Sequence, residues 1–225
     1  MLRDPGAGTL RQRPLRADAR RNRERLLAAA RDVFVELGAD APLDDVARRA
    51  GVGIATLYRR FPDRPALLRE VALDVLGRSA AEATAALAEE PDAFAALGRY
   101  MHRAVDLRIA AVMPEVVGRL RMDDEQLQYA RRASVEAIDR IIATAHADGA
   151  LRPDVASGDV GLLLVRLTRP LPGPFPGEVE GRLTHRHLDL LLDGLRSTAY
   201  RGVPLPDPAM TFDDLADMPP PPVPR

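Results

Sequence analysis

The sequence predicts an all-α protein, and three observations carry that expectation. Apolar residues recur at three- and four-residue spacing through most of the chain. Ala and Leu dominate while aromatics make up only 4% and Trp is absent. A core of such small and γ-branched side chains favours helix over sheet. No segment reads as a strand, and no internal repeat is visible. The expected architecture is about nine helices: a small N-terminal unit of three and a larger C-terminal helical body.

Residues 1–18 mix Gly, Pro and Arg without periodicity and are expected to form a disordered basic arm. The first helix follows, with Leu26, Leu27, Ala30, Val33, Phe34 and Leu37 at helical spacing and Gly38 as its stop. A second, short helix opens near Pro42, with Asp44 and Asp45 in the first turn where the helix dipole favours acids. Its apolar side is Leu43, Val46, Ala47 and Ala50. A third runs from about Gly53 to Phe61, and Pro62-Asp63 breaks it. Asp63 can cap a long fourth helix from Arg64 to about Leu87.

Further helices are expected at about 92–111, 114–120, 123–148, 155–169 and 182–199. Asp123 and Asp124 stand where acids suit the start of the third of these, and Asp148-Gly149 can stop it. Leu162-Leu163-Leu164-Val165 has no polar side, so its helix is expected to be covered on nearly all faces. Four Pro and two Gly between Pro170 and Gly177 make a connecting loop. After Tyr200 the chain is Pro-rich and reads as a disordered tail over 201–225. The expected organisation is thus an arm over 1–18, a first domain over 19–65, a second over 66–200, and the tail.

Composition narrows the function classes. The 225 residues, 46% of them hydrophobic, suffice for a small domain and a medium one. No run of 18 apolar residues could span a membrane, and Met1–Pro5 lacks the apolar core of a signal peptide. With no Cys there is no disulfide, thiolate metal site or Cys nucleophile. A cytoplasmic protein with no membrane partner is expected. Charge is distributed unevenly. Residues 1–31 hold nine Arg against three acids, a local +6, which leaves −7 on the remainder for the total of −1. Every basic residue is Arg. A basic N-terminus on an acidic body points to a polyanion partner at one end only.

Chemistry concentrates in residues 42–61. Two short helices are joined by the turn Gly51-Val52-Gly53, in which Gly51 can adopt the left-handed conformation that ends a helix tightly and Val52 plugs the angle. On the second helix Leu57 and Phe61 point inward. The opposite side shows Ala55, Thr56 and Arg59, flanked by Tyr58 and Arg60. A short outward face of small side chains around one guanidinium can enter a major groove about 12 Å wide and offer Arg to guanine. Tyr58 and Arg60 can reach phosphates on either wall.

Residue by residue, the segment resembles the tetracycline-repressor (TetR) family over residues 20–75. The family pattern Phe-x-x-x-Gly appears as Phe34 to Gly38. Ile-Ala-x-x-Ala-Gly-Val-Ser appears as Val46 to Gly53, and Gly-Thr-Leu-Tyr-x-x-Phe as Ala55 to Phe61. Arg64 stands at the Lys that opens the next helix. The C-terminal body looks like actinobacterial members that carry a Pro-rich loop before the last helix. The resemblance implies an N-terminal helix-turn-helix DNA-binding domain with a C-terminal ligand-binding and dimerisation domain. It implies base contacts from Ile54, Ala55, Thr56 and Arg59, and phosphate contacts from Tyr58, Arg60 and Arg64. Pro42 departs from a Thr that caps the second helix and holds a phosphate, and Gly53 from a Ser cap. Ile54 falls toward the inner side of an ideal wheel.

Other chemistries fail on spacing. Gly51-x-Gly53-x-x-Thr56 lacks the preceding strand and third Gly of a dinucleotide site. His185 and His187, two apart on one helix, do not share a face, so no metal site is expected, and no cofactor. No nucleophile–base–acid arrangement or paired carboxylates stand out, which argues against an enzyme. An unidentified small-molecule effector is expected among the middle helices, with Tyr100, His102, Arg103 and Tyr129 as candidate contacts. Leu163 and Leu167 on one helix, with Leu191 and Leu195 on the last, are candidates for a homodimer seam. Leu183, Leu190, Leu191 and Leu195 form that last helix's apolar stripe. Together these make a repressor that binds a palindromic double-stranded operator as a dimer and is released by a ligand. The alternatives are a helical protein-interaction module without DNA binding, and a constitutive or activating DNA-binding regulator.

Overall fold

The computed structural model describes residues 9–117, 119, 124–169, 171, 177–203 and 205–216. Among them the regular structure is helical throughout, apart from one isolated antiparallel bridge between Leu151 and Arg196. The chain divides into two compact units, residues 1–71 with 115–120, and residues 72–114 with 121–225.

The first unit contains α1 (Thr9–Leu37), α2 (Leu43–Ala50), α3 (Ile54–Arg60) and the first turns of α4 (Arg64–Glu89). Leu26, Leu27, Ala30, Val33 and Phe34 of α1 are buried, as are Val46 and Ala47 of α2, Leu57 of α3, and Leu67, Leu68 and Val71 of α4. Each fully buried Leu, Val or Phe contributes about 1.5–3 kcal/mol, so this apolar seam sets the geometry. Charged contacts then fix the register. The Arg49 guanidinium meets both Glu36 oxygens at 2.7 Å, tying α2 to α1, and Arg23 reaches Glu70 on α4. Asp63 caps α4 by accepting from the Ala66 amide at 2.8 Å.

The second unit holds the rest of α4 with α5 (Ala93–Asp106), α6 (Ile109–Val117) as far as Pro114, α7 (Glu125–Ala147), α8 (Ser157–Leu167), α9 (Gly177–Leu195) and α10 (Phe212–Ala216). A 3-10 turn, Ser197–Ala199, follows α9. Asp92 caps α5 through the Ala95 amide, and Asp124 caps α7 through the amides of Gln126 and Leu127. Leu97, Met101, Ala104, Ile141, Ala145, Leu164 and Leu188 form the buried centre. One polar chain crosses it. The Ser134 hydroxyl donates to Ser79 Oγ at 2.8 Å, and Ser79 Oγ lies 3.0 Å from the Tyr100 hydroxyl. All three residues are buried and partnered, so the desolvation penalty of isolated hydroxyls is avoided.

Several sequence expectations need correction. Residues 9–18 of the expected arm are helical, continuing α1 upstream; residues 1–8 lie outside the described set. Leu, Arg, Gln and Ala there are good helix formers, so the segment can be helical without an apolar period. Leu37, expected on the inner face of α1, is 59% exposed, because the buried stripe ends at Phe34 and Gly38 (φ 82°) turns the chain. The expected helix 92–111 breaks at Leu107–Arg108, where Arg108 is left-handed (φ 55°), and α6 starts at Ile109 with Pro114 inside it. Most of the expected helix end around 118–123 lies outside the described residues.

The loop expected over 170–177 is described only at Leu171 and Gly177, and Gly177 already belongs to α9, which ends at Leu195 rather than 199. In α8, Leu162 is 37% exposed, so that helix is not covered on all faces. The stripe that α9 turns inward is Leu188, Leu192 and Leu195, whereas Leu190 is 60% exposed and Leu183 and Leu191 are half-buried. The tail expected over 201–225 is not wholly irregular: α10 lies against α8. Two glycines make room for it. A Cβ on Gly158 would stand 2.5 Å from the Met210 carbonyl oxygen, and one on Gly161 would stand 2.6 Å from the Phe212 ring.

Candidate nucleic-acid interface

The α2–turn–α3 corner is built by local sequence. Gly51 is left-handed (φ 67°, ψ 35°) and its amide bonds the Arg48 carbonyl at 3.1 Å. The Val52 amide bonds the Ala47 carbonyl at 3.0 Å, which closes the end of α2. A side chain at Gly51 would meet open space, so the demand for glycine is one of backbone conformation. Neither Pro42 nor Gly53 provides a side-chain cap; α3 starts on backbone bonds alone, from the Thr56 and Leu57 amides to the Gly53 carbonyl.

Leu57 and Phe61 anchor α3 inward, at 0% and 2% exposure. With one side fixed, Ala55, Tyr58, Arg59 and Arg60 stand exposed, and Ile54 and Thr56 are half-buried. The outward face thus contains two small side chains, a phenol and two guanidiniums, with no acid from Gly51 to Phe61. Six of the seven residues assigned to the DNA contact lie on this one helix.

Arg64, the seventh, opens α4 and is half-buried. Its Nη1 donates to the Ala39 carbonyl at 2.7 Å in the turn after α1. That bond gives Arg64 a structural duty which sequence reading missed, since Ala39 lies 25 residues upstream and nothing local signals it. On the basic α1, Arg20, Arg21 and Arg25 are exposed. Arg25 donates to Asn22 at 3.1 Å, and Arg20 pairs with Glu24 at 3.2 Å.

The candidate effector residues are not brought together. Tyr100 is buried with Ser79; burial pushes its hydroxyl up to about 12, and the hydrogen bond with Ser79 offsets this only in part. His102 lies against α9, Arg103 pairs with Asp106 at 3.2 Å, and Tyr129 is 68% exposed on α7. Tyr100 and His102 leave α5 on different sides because they are two residues apart on a helix. Among the candidate seam residues, Leu163, Leu167 and Leu191 are half-buried, and Leu195 is 7% exposed in the chain's own core. Leu195 is occupied by its own body, because its helix turn faces the 151–152 segment, where the Arg152 amide bonds the Leu195 carbonyl at 3.0 Å.

A glycine-hinged pair of short helices with a basic, acid-free outer face, followed by a larger helical body, defines a helix-turn-helix DNA-binding transcriptional regulator. Comparison with known proteins gives the family. A profile described as "Bacterial regulatory proteins, tetR family" matches residues 26–71, and one described as "Transcriptional regulator SbtR-like, C-terminal domain" matches 92–197. A TetR regulator from Streptomyces coelicolor is 33% identical with a TM-score of 0.55, the match covering 77% of this chain and 98% of that one. A TetR regulator from Mycobacterium vanbaalenii is 33% identical with a TM-score of 0.56, covering 81% and 99%. The TetR-like regulator LfrR from Mycobacterium smegmatis, in complex with proflavine, is 24% identical with a TM-score of 0.55, covering 76% and 96%. No curated protein sequence matches the chain. The chain belongs to the TetR family of transcriptional regulators, which are not enzymes. No described helix is long and apolar enough to cross a membrane.

Proposed function

We propose that this regulator is a repressor that binds a palindromic operator as a homodimer and is released by a small molecule. The observation that carries the DNA contact is the outer face of α3, with Ala55, Tyr58, Arg59 and Arg60 exposed over the Leu57–Phe61 anchor. Ile54, Ala55, Thr56 and Arg59 read base edges, while Tyr58, Arg60 and Arg64 hold phosphates. A two-fold dimer sets two such helices about 34–36 Å apart, one helical turn of DNA. The exposed Leu190, with Leu191, Leu163 and Leu167, supplies an apolar seam on α8 and α9. Effector binding belongs to the second unit, and a protein of the same fold has been captured with proflavine. A ligand with unequal affinity for the DNA-bound and released states shifts their equilibrium, typically by about 1–3 kcal/mol.

The test pairs operator capture with release. Genomic fragments selected by the full chain should contain an inverted repeat. A panel of small molecules, screened by thermal shift, should then yield compounds that raise the melting temperature and lower operator affinity together. Compounds that stabilise the protein without moving operator affinity would contradict ligand-gated release, and a selected site without two-fold symmetry would contradict dimeric readout.

A further inference from the structure

The α5–α9 contact of the second unit contains four side chains joined end to end: Asp106, His185, His102 and Asp189. His185 Nε2 lies 3.1 Å from Asp106 Oδ1, and His102 Nε2 lies 3.0 Å from Asp189 Oδ1. Between them the two Nδ1 atoms face each other at 2.8 Å. The rings are inclined by only 12° with centroids 5.0 Å apart. With the nitrogens only 2.8 Å apart, a centroid separation that long requires both Nδ1 atoms to lie close to the line between the ring centres. The rings therefore meet edge to edge, with their in-plane nitrogen orbitals aimed at one another, rather than face over face.

Counting protons on this chain gives an odd number. A carboxylate only accepts, so each Nε2 carries a hydrogen and donates it. In two neutral rings both Nδ1 atoms would then be bare lone pairs, opposed at 2.8 Å. In two imidazolium rings both would carry N–H bonds of about 1 Å pointing at each other, with no room between them. Only three protons over four nitrogens turn the contact into an N–H···N hydrogen bond. A metal in its place does not fit: two nitrogens on a tetrahedral zinc, each about 2.0–2.1 Å from it, stand roughly 3.3 Å apart. Among the described residues no group of three or more His, Cys, Asp or Glu converges as a metal site.

We propose that His102 and His185 form a proton-binding site, one shared proton between two imidazoles, which clamps α5 to α9 and makes the second unit pH-responsive. The clamp is strongest with one proton on the pair and opens when the pair gains or loses one. Both rings remain about one-third exposed, so solvent can deliver and remove that proton. The charged groups around it come from both helices. On α5, Asp106 accepts from His185 and is held by Arg103 at 3.2 Å, while Arg99 is committed to Glu82, Glu89 and Glu90. On α9, Asp189 accepts from His102, and the exposed Arg182 and Arg186 flank His185 in sequence. The two carboxylates offset the positive charge of the protonated pair and fix both tautomers.

Two measurements on the full chain decide this. In 15N-histidine-labelled protein, NMR should show both Nε2 atoms protonated, and a scalar coupling between the Nδ1 atoms of His102 and His185 through one proton. That coupling should vanish in His185→Gln. Thermal unfolding of the wild type, His102→Gln, His185→Gln and the double variant should be followed from about pH 5 to 8, where imidazole ordinarily changes charge. The interaction between the two substitutions should rise to a maximum within that range and fall on both sides, a shift of several degrees at its peak. Rings that titrate independently without the N–N coupling would overturn the proposal even if the variants fail to fold. An interaction flat in pH, or stoichiometric zinc binding by the wild type that is lost in both single variants, would also overturn it.

Discussion

Arg59 and Tyr100 lie at opposite extremes of what single residues show in a sequence. Arg59 was legible because its neighbours on a seven-residue helix fix its direction: Leu57 and Phe61 are apolar, so the residue between them at helical angle faces out. Tyr100 was read as a lining residue, yet the structure buries it with its hydroxyl on Ser79, 21 residues away, which in turn accepts from Ser134, separations that no local pattern encodes. The same blindness hid the histidine pair. The sequence places His185 two residues from His187, whereas its partner is His102, 83 residues upstream. Tyr100 supports a pH prediction. Burial raises its folded value to about 12 from 10, so the neutral phenol's stabilisation is complete below pH 10 and is lost as pH rises from 10 through 12. Tyr100→Phe cannot ionise. Denaturant unfolding should find wild type the more stable by about 1 kcal/mol at pH 8, with the difference reversing by about pH 12. A difference constant across that range would show that the hydroxyl is not buried as described.

At the scale of elements, punctuation was read well and packing partners poorly. Asp63 caps α4 and Asp124 caps α7 because a short acceptor before an apolar period has one favourable use, and the structure adds Asp92 as the cap of α5. The α5–α6 break at Arg108 and the inward stripe of α9 were misread, since each depends on which neighbour a helix meets. The C-terminal segment was missed because five helical residues, Phe212–Ala216, have no period of their own; their fold depends on the shelf that Gly158 and Gly161 leave on α8. Gly161→Val should push the Phe212 ring off that shelf and cost about 1–3 kcal/mol. Limited proteolysis should then cut between α9 and α10 faster than in the wild type. Unchanged cleavage and stability would mean that α10 does not depend on the shelf.

At the scale of the molecule, the division into a DNA-reading unit and a helical body was legible from charge and motif, and family membership bears it out. Which leucines are free for a second subunit was not, because an apolar stripe facing its own core and one facing a partner share the same period. The structure separates them: Leu188, Leu192 and Leu195 are committed inward, leaving Leu190 exposed. Leu190→Arg with Leu191→Arg should therefore convert a dimer of about twice 24.5 kDa into monomer in sedimentation, whereas wild type sedimenting at 24.5 kDa would refute the dimer.

The central claim, that α3 reads DNA, is tested most directly by titrating the full chain against a duplex from the region upstream of its own gene at several salt concentrations. Neutralising about four phosphates per subunit predicts that log K falls against log[salt] with a slope near −7, at about 0.9 per phosphate. Arg59→Ala should weaken binding by about 1–3 kcal/mol per half-site and relax preference at one base position. Binding indifferent to salt, equal for unrelated duplexes, and unchanged in Arg59→Ala would contradict the account.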